Sequence, residues 1–379
     1  MAEYFDKLTD ASSLYSAFEM SKKGSNWKGS VQNYDMHVLL NIAETRRALR
    51  DGTYQQHPFV EFTLNERGKT RHIKSIHIAD RVVQRALCDQ VLAPALEPYL
   101  IHDNGASVKG KGISFTRNRL MCHLQRFFRK HGDNGYILKL DFSKFFDNID
   151  HELAIEAISK RIDDPQIMEL IRKVVDWFKI DVSAYSDEEI KEFETKPFDS
   201  LTARKSEEGK KFLRRSFGIG SQISQLVGIY FPSPIDHLCK EKNRCKYYGR
   251  YMDDIYIIHE DKEFLQRVLA EIYEKAKELK LFINPKKTTI TPLKGGFTFM
   301  KIRYRLTPTG KIIKRMMPEA FTRERRRLQK YRGLLDKGRM TRLEIVNNYR
   351  SFRGNAKDFD SHRSLKRLDE IYNELFVYN

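Results

Sequence analysis

The sequence predicts an α+β fold, and three observations carry that expectation. Short stretches of β-forming residues come in pairs joined by tight polar turns, the mark of antiparallel hairpins. Longer runs with apolar residues at helical spacing lie before, between and after them. The 379 residues are too many for one small core and few enough for two or three packed subdomains, with no internal repeat or low-complexity tract.

Taken in order, residues 1–50 read as helical and polar. Residues 53–75 then alternate: Phe59-Val60-Glu61-Phe62-Thr63-Leu64 and Lys69-Thr70-Arg71-His72-Ile73, joined by Asn65-Glu66-Arg67-Gly68. This is a hairpin with a polar, Gly-containing turn. Asp80 to Leu87 has helical apolar spacing, and Asp80 and Arg81 read as structural. Asn104 to Gly112 is a loop of glycines and lysines. Ile137-Leu138-Lys139-Leu140 is a buried-strand run that ends in Asp141 and then Phe142, and residues 151–175 read as one helix. Residues 181–210 break pattern, polar and mixed in charge around Pro197, and read as an insertion, mobile or partner-binding. Gly218-Ile219-Gly220 precedes a helical run from Leu226 to Cys239, and glycines there allow close backbone approach to a ligand. Arg250-Tyr251-Met252-Asp253-Asp254-Ile255-Tyr256 reads as strand, tight turn and strand. After residue 316 the chain reads as helical.

The carboxylates carry the chemistry. Asp253 and Asp254 repel each other, and a hairpin turn favours Gly or Asn over such a pair. Carboxylates forced together hold a cation, and oxygen-only ligands favour Mg²⁺. Alone the pair is weak, since most such pairs are solvated loop residues. Asp141 changes the weighing. Two-metal phosphoryl transfer needs carboxylates converging from different strands, with the ions about 4 Å apart. An Asp closing one strand and a pair at a hairpin tip can supply that.

With these residues in that order, the chain resembles the reverse transcriptase family from about residue 50 onward. Leu140-Asp141-Phe142-Ser143-Lys144-Phe145-Phe146 resembles its first palm motif, and Tyr251-Met252-Asp253-Asp254 its catalytic hairpin. The resemblance implies a right-hand polymerase: an N-terminal helical segment (1–50), fingers (51–135), a palm of antiparallel sheet with flanking helices (136–310) and a basic helical thumb (311–379). It implies that Asp141 and Asp253 bind two Mg²⁺ ions, with Mn²⁺ as a substitute, that Asp254 supports them, and that the Phe142 carbonyl completes the cage. Lys69 and Arg71 then grip the triphosphate, with edge-strand charge as the bland alternative. Gly220 and Gln225 of the motif Ile219-Gly220-x-x-x-Ser224-Gln225 line the nucleotide, and Lys287 lies near the pyrophosphate. Phe146 takes the place of the sugar gate that rejects a 2′-hydroxyl, whereas Phe145 reads as core. Tyr251 and Met252 flank the primer end, and Gly296 to Lys301 resembles the primer-grip hairpin, with Phe-Met-Lys where the family has Phe-Leu-Gly. Arg323, Arg326, Arg327 and Lys330 face the duplex backbone, a role that adds affinity without sequence preference. Trp27 either packs in the helical cap or touches RNA.

Composition agrees with such partners. Lys plus Arg number 69 and Asp plus Glu 51, so the net charge is 69 − 51 = +18, and the pI near 9.5 suits a phosphate-rich ligand. The charge is uneven: residues 311–342 hold twelve Lys or Arg against three Asp or Glu. Cys88, Cys122, Cys239 and Cys245 form no CxxC pair, which argues against a zinc site or disulfide framework and suits a reducing cytoplasm. No apolar run approaches the roughly 20 residues needed to span a bilayer, and the N-terminal residues lack a signal-peptide pattern.

The resemblance implies template or non-coding RNA, a DNA primer and product, and dNTPs as partners; an accessory protein or a second copy stays open. Ile219 stands where Gln is common in the family, and Gln225 where Pro is common. That pattern resembles diversity-generating retroelement enzymes, while the insertion fits defence-associated prokaryotic relatives. Two rivals remain: a template-independent or protein-primed DNA polymerase of phage-exclusion type, and a maturase-like RNA-binding protein without catalysis.

Overall fold

The computed structural model describes residues 2–66, 68–206 and 208–377, apart from the side chains of Ala2, Glu66 and Lys69. It divides into two compact units. The first comprises 1–116, 140–255 and 266–288; the second comprises 117–139, 256–265 and 289–379.

In the first unit four helices open the chain: Ala2–Thr9, Ala11–Lys22, Gly29–Met36 and Val38–Arg50. Asp10 starts the second by accepting from the backbone N–H groups of Ser12 and Ser13, as an N-cap should. Trp27 is 76% exposed, so it is not a packing residue of this cap. The expected hairpin follows as strands Val60–Glu66 and Lys69–Ser75. Its turn is shorter than the expected four residues, because Asn65 and Glu66 still pair with Thr70 and Lys69. The Thr70 hydroxyl donates to Asn65 Oδ1 at 2.6 Å, which holds the two strands together up to the turn. The helix Ile78–Leu87 buries Val82, Val83, Ala86 and Leu87 on one face.

The single helix expected over 151–175 is two helices, His151–Ser159 and Pro165–Asp176. Pro165 cannot continue a helix interior, yet it suits a first turn, and Asp164 caps that turn through the N–H groups of Gln166 and Ile167. The insertion has structure of its own. Its stem pairs Ile180–Asp181 with Phe212–Leu213, and the helix Asp187–Glu192 starts with a Ser186/Glu189 capping box.

A four-stranded sheet runs in the order Tyr247–Tyr251, Asp254–His259, Tyr136–Leu140, Thr289–Pro292. Its middle strands are apolar because both faces are covered: Ile137, Leu138, Leu140 and Ile255 to Ile258 are buried.

In the second unit a three-stranded sheet, Phe297–Phe299, Ile302–Leu306 and Ile312–Met316, precedes the helices Pro318–Asp336, Arg342–Lys357 and His362–Phe376. Met300 and Lys301 fill a two-residue turn at φ +47° and +62°. Two left-handed positions make a turn matched to the strand twist, here without the glycine that usually eases it. Leu328, Ile345, Tyr349, Leu368 and Phe376 form the core of the three helices.

Candidate active site

The site assembles in the first unit at the ends of strands. Asp141 lies one residue beyond Tyr136–Leu140, and Asp254 opens the strand beside it. Phe142 sits opposite Ile283 in a local antiparallel bridge. Its rungs are made by the neighbours: Ser143 N–H donates to the Phe282 carbonyl at 2.6 Å, and Asn284 N–H to the Asp141 carbonyl at 2.8 Å. In that pattern the carbonyl of Phe142 points away from the Ile283 segment.

The Asn284-Pro285-Lys286-Lys287 turn explains where Lys287 goes. Asn284 accepts on its side chain from Lys286 N–H at 3.1 Å and on its carbonyl from Lys287 N–H at 3.2 Å. The turn so formed sends Lys287 Nζ to both oxygens of Asp141, at 2.7 and 2.8 Å. Asp141 is 14% exposed and Lys287 51%. An ammonium straddling both oxygens marks this carboxylate as a cation-binding position, and the donor set is oxygen-only, so the residues fit a hard divalent ion. An ion held by Asp141 would have to displace Lys287 from these oxygens.

Asp141, Asp253 and Asp254 do not form a group of three with all ligand atoms within 4.8 Å; among the described residues His57, His77 and Asp80 do. That second group is a hydrogen-bond hub at the base of the hairpin. Asp80 accepts from Tyr54 OH at 2.8 Å, His57 N–H at 2.8 Å and His57 Nδ1 at 3.1 Å. The His57 and His77 rings stack at 4.2 Å. Asp80 therefore has a structural place, as its sequence context suggests.

The turn carrying Asp253 is held from beneath by a group whose role the sequence reading missed. Arg250 and Asp236 are fully buried. Arg250 donates to Asp236 through Nε at 2.8 Å and Nη2 at 2.6 Å, to the Ile229 carbonyl at 2.6 Å and to the Met252 carbonyl at 3.2 Å. Tyr248 OH donates to the same carboxylate. Burial pulls the guanidinium's pKa down, but the charge and hydrogen bonds of Asp236 outweigh it, and the net direction is up. Burial, with Asp236 beside it, drives the Tyr248 phenol well above its usual range. Met252 is left-handed at φ +53°, which costs a non-glycine residue about 1–2 kcal/mol. The signal in the sequence was an Arg in an apolar strand, two residues from the turn, and an Asp inside the apolar run after residue 226.

The loop at Asn104 joins the same strand: Arg250 N–H donates to the Asp103 carbonyl at 3.2 Å and Gly105 N–H to the Arg250 carbonyl at 3.0 Å. Ser107 OH then meets Gln225 Oε1 at 3.3 Å. Ile219 bridges Ile73 of the hairpin. Gly220 next to it has φ +122°, which a side chain would strain. Phe145 is buried, and Phe146 stands edge-on to it at 5.3 Å. A Cβ on Gly228 would lie 2.9 Å from the Phe146 ring, so that glycine makes room for it.

Tyr251 is half-buried, and desolvation raises its phenol's pKa. Arg71 lies opposite Leu64 in the hairpin; the side chain of Lys69 is outside the described residues. In the second unit Arg323, Arg326, Arg327 and Lys330 sit exposed on Pro318–Asp336. Arg327 pairs with buried Glu324 at 3.1 Å and is the least available of the four.

Residues 63–302 match the family described as Reverse transcriptase (RNA-dependent DNA polymerase). The chain belongs to the reverse transcriptase family. The family indicates an RNA-directed DNA polymerase, a nucleotidyltransferase that takes an RNA template, DNA and dNTPs, and its members generally use divalent metals. The chain is also 23% identical over 311 residues to Protein YkfC of Escherichia coli (strain K12), across 74% of this chain and 76% of that protein. No helix among the described residues is long and apolar enough to cross a membrane.

Proposed function

We propose that this chain copies an associated RNA into DNA by two-metal nucleotidyl transfer at Asp141, Asp253 and Asp254. Lys287 bridging both Asp141 oxygens, beside the strand that Asp254 opens, carries the reading. Asp141 and Asp253 are the residues that would hold two Mg²⁺ ions, or Mn²⁺ in their place, with Asp254 and the Phe142 carbonyl in support. Such ions would supply a lowered pKa at the primer 3′-hydroxyl and neutralise the triphosphate charge.

The chain's own residues do the rest in this proposal. Lys287 moves off Asp141 and meets the pyrophosphate charge. Lys69 and Arg71 grip the triphosphate, Gly220 and Gln225 line the nucleotide, and Phe146 excludes a 2′-hydroxyl. Tyr251 and Met252 set the primer end on a turn that Arg250 keeps in one conformation. Arg323, Arg326, Lys330 and, less freely, Arg327 follow the duplex backbone. This assigns fingers to 51–135, palm to 136–310 and thumb to 311–379.

Its biological setting we place in a diversity-generating retroelement ahead of an anti-phage system, because Ile219 leaves an apolar side chain where an amide is common. The test is sequencing of nucleic acid bound to the tagged protein in cells, wild type beside Asp253→Asn/Asp254→Asn. Complementary DNA seen with wild type alone supports the polymerase reading, and adenine errors in it support the retroelement. RNA bound equally by both proteins with no DNA product overturns the reading.

A further inference from the structure

The hairpin at residues 60–75 has two faces, and the proposed site uses one. Ile73, bridged to Ile219, lies on that face with Arg71. The alternate residues, Glu61 paired with Lys74 and Thr63 with His72, lie on the other. They line a cavity of about 720 Å³ whose opposite wall is the insertion. That volume is the size of a nucleotide-sized ligand's pocket.

Its lining joins aromatic faces to cations. Phe59, Trp177 and Phe212 contribute rings, and Trp177 and Phe212 remain 39% and 44% exposed. Lys179 Nζ lies 4.6 Å over the Phe212 ring and Lys74 Nζ 5.4 Å over Phe59. The acids in the lining are already engaged: Glu61 with His72 at 3.2 Å, Asp147 with the Ser200 N–H and hydroxyl, and Asp181 with the N–H groups of Ser183 and Gly209. Of the lysines, Lys179 pairs with Asp176 at 2.8 Å, and the other two are less engaged. Lys74 Nζ makes a long 3.4 Å contact to the Phe178 carbonyl besides that ring, and feels the charges of Glu61 and Asp147 without an ion pair to either among the described residues. Lys205 makes no ion pair or hydrogen bond among the described residues. Rings beside unsatisfied ammonium groups recognise a base together with its phosphate.

We infer that this cavity binds a nucleotide unit of single-stranded RNA, the base against Phe212 and the phosphate at Lys205 and Lys74. The strand rather than the free nucleotide is the occupant, because a chain of net charge +18 attracts a polyanion far more than a single phosphate. The choice of RNA rests on the RNA-copying reading, while the base-and-phosphate chemistry does not.

The test uses the full chain, wild type, Phe212→Ala and Lys205→Glu, with thermal melting as a check of folding. Affinity for a labelled single-stranded RNA of about twelve nucleotides is read by fluorescence anisotropy across a salt series, and uridine monophosphate is titrated separately. Phe212→Ala should weaken RNA binding about tenfold, and Lys205→Glu should also flatten the salt slope. Unchanged RNA affinity in both folded variants overturns the inference. So does a loss confined to uridine monophosphate, which would make the ligand a free nucleotide. If Phe212→Ala fails to fold, Lys205→Glu on the surface still decides. Wild-type primer extension is measured in parallel: extension with unchanged variant affinity sinks this site alone, and absent extension with lost affinity sinks the polymerase reading alone.

Discussion

Removing the buried carboxylate behind the Met252-Asp253 turn separates folding from positioning. Asp236→Asn leaves the Arg250 guanidinium, fully buried, without its counter-charge. Of the two ion-pair bonds, at 2.8 and 2.6 Å, one becomes an ion–dipole bond to the amide oxygen and the other is lost, because the amide NH2 cannot accept. Breaking a buried pair from one side costs about 3–5 kcal/mol, so the urea midpoint should drop sharply. Arg250→Met/Asp236→Leu removes both charges, and such replacements are often neutral for stability, here less the cost of leaving the Tyr248 hydroxyl and the Ile229 carbonyl unpaired. That double variant should fold. It still lacks the donor to the Met252 carbonyl, a 3.2 Å bond worth about 1 kcal/mol. A turn with a left-handed methionine then populates other conformations. Losing about 1 kcal/mol of turn stability corresponds to roughly a fivefold change in population, which should appear in kcat for Mg²⁺-dependent primer extension with little change in KM for dNTP. A double variant that folds and extends primers at the wild-type rate would refute the positioning role.

Three further outcomes follow from the geometry. Lys287→Met frees both Asp141 oxygens; half-maximal activity should need less Mg²⁺ while kcat falls, and an unchanged Mg²⁺ titration counts against the competition. Gly228→Ala places a methyl 2.9 Å from the Phe146 ring, and together with Phe146→Ala it should change the dNTP-to-rNTP preference measured by single-nucleotide incorporation. His151 has its Nδ1 buried without a partner among the described residues and its Nε2 on the Ser216 carbonyl at 2.7 Å. Burial holds its pKa below the ordinary 6.5, so below that pH the unfolded chain takes up the proton first. Stability should fall as pH drops through 6.5 toward the depressed native value, by up to about 1.4 kcal/mol per pH unit. Urea midpoints for wild type against His151→Gln, where the slope should flatten, check this.

Local periodicity and motif order were enough to read the mixed fold and the family. Alternation marked the hairpin strands at 60–66 and 69–75, although their apolar Val60, Phe62 and Leu64 stay 68%, 47% and 44% exposed, and the run ending at Asp141 marked a strand covered on both faces. Short-range signals also misled: apolar spacing continued across Asp164-Pro165, where a cap and a proline start a new helix. Tertiary structure decided what depends on residues far apart in the chain. Nothing local says that Lys287 reaches Asp141, 146 residues away. Nor does it say that Asp236 neutralises Arg250, that Gly228 makes room for Phe146, or that the insertion walls a cavity behind the hairpin. Periodicity reports which face of an element is buried; the partner on that face is set only when the elements pack.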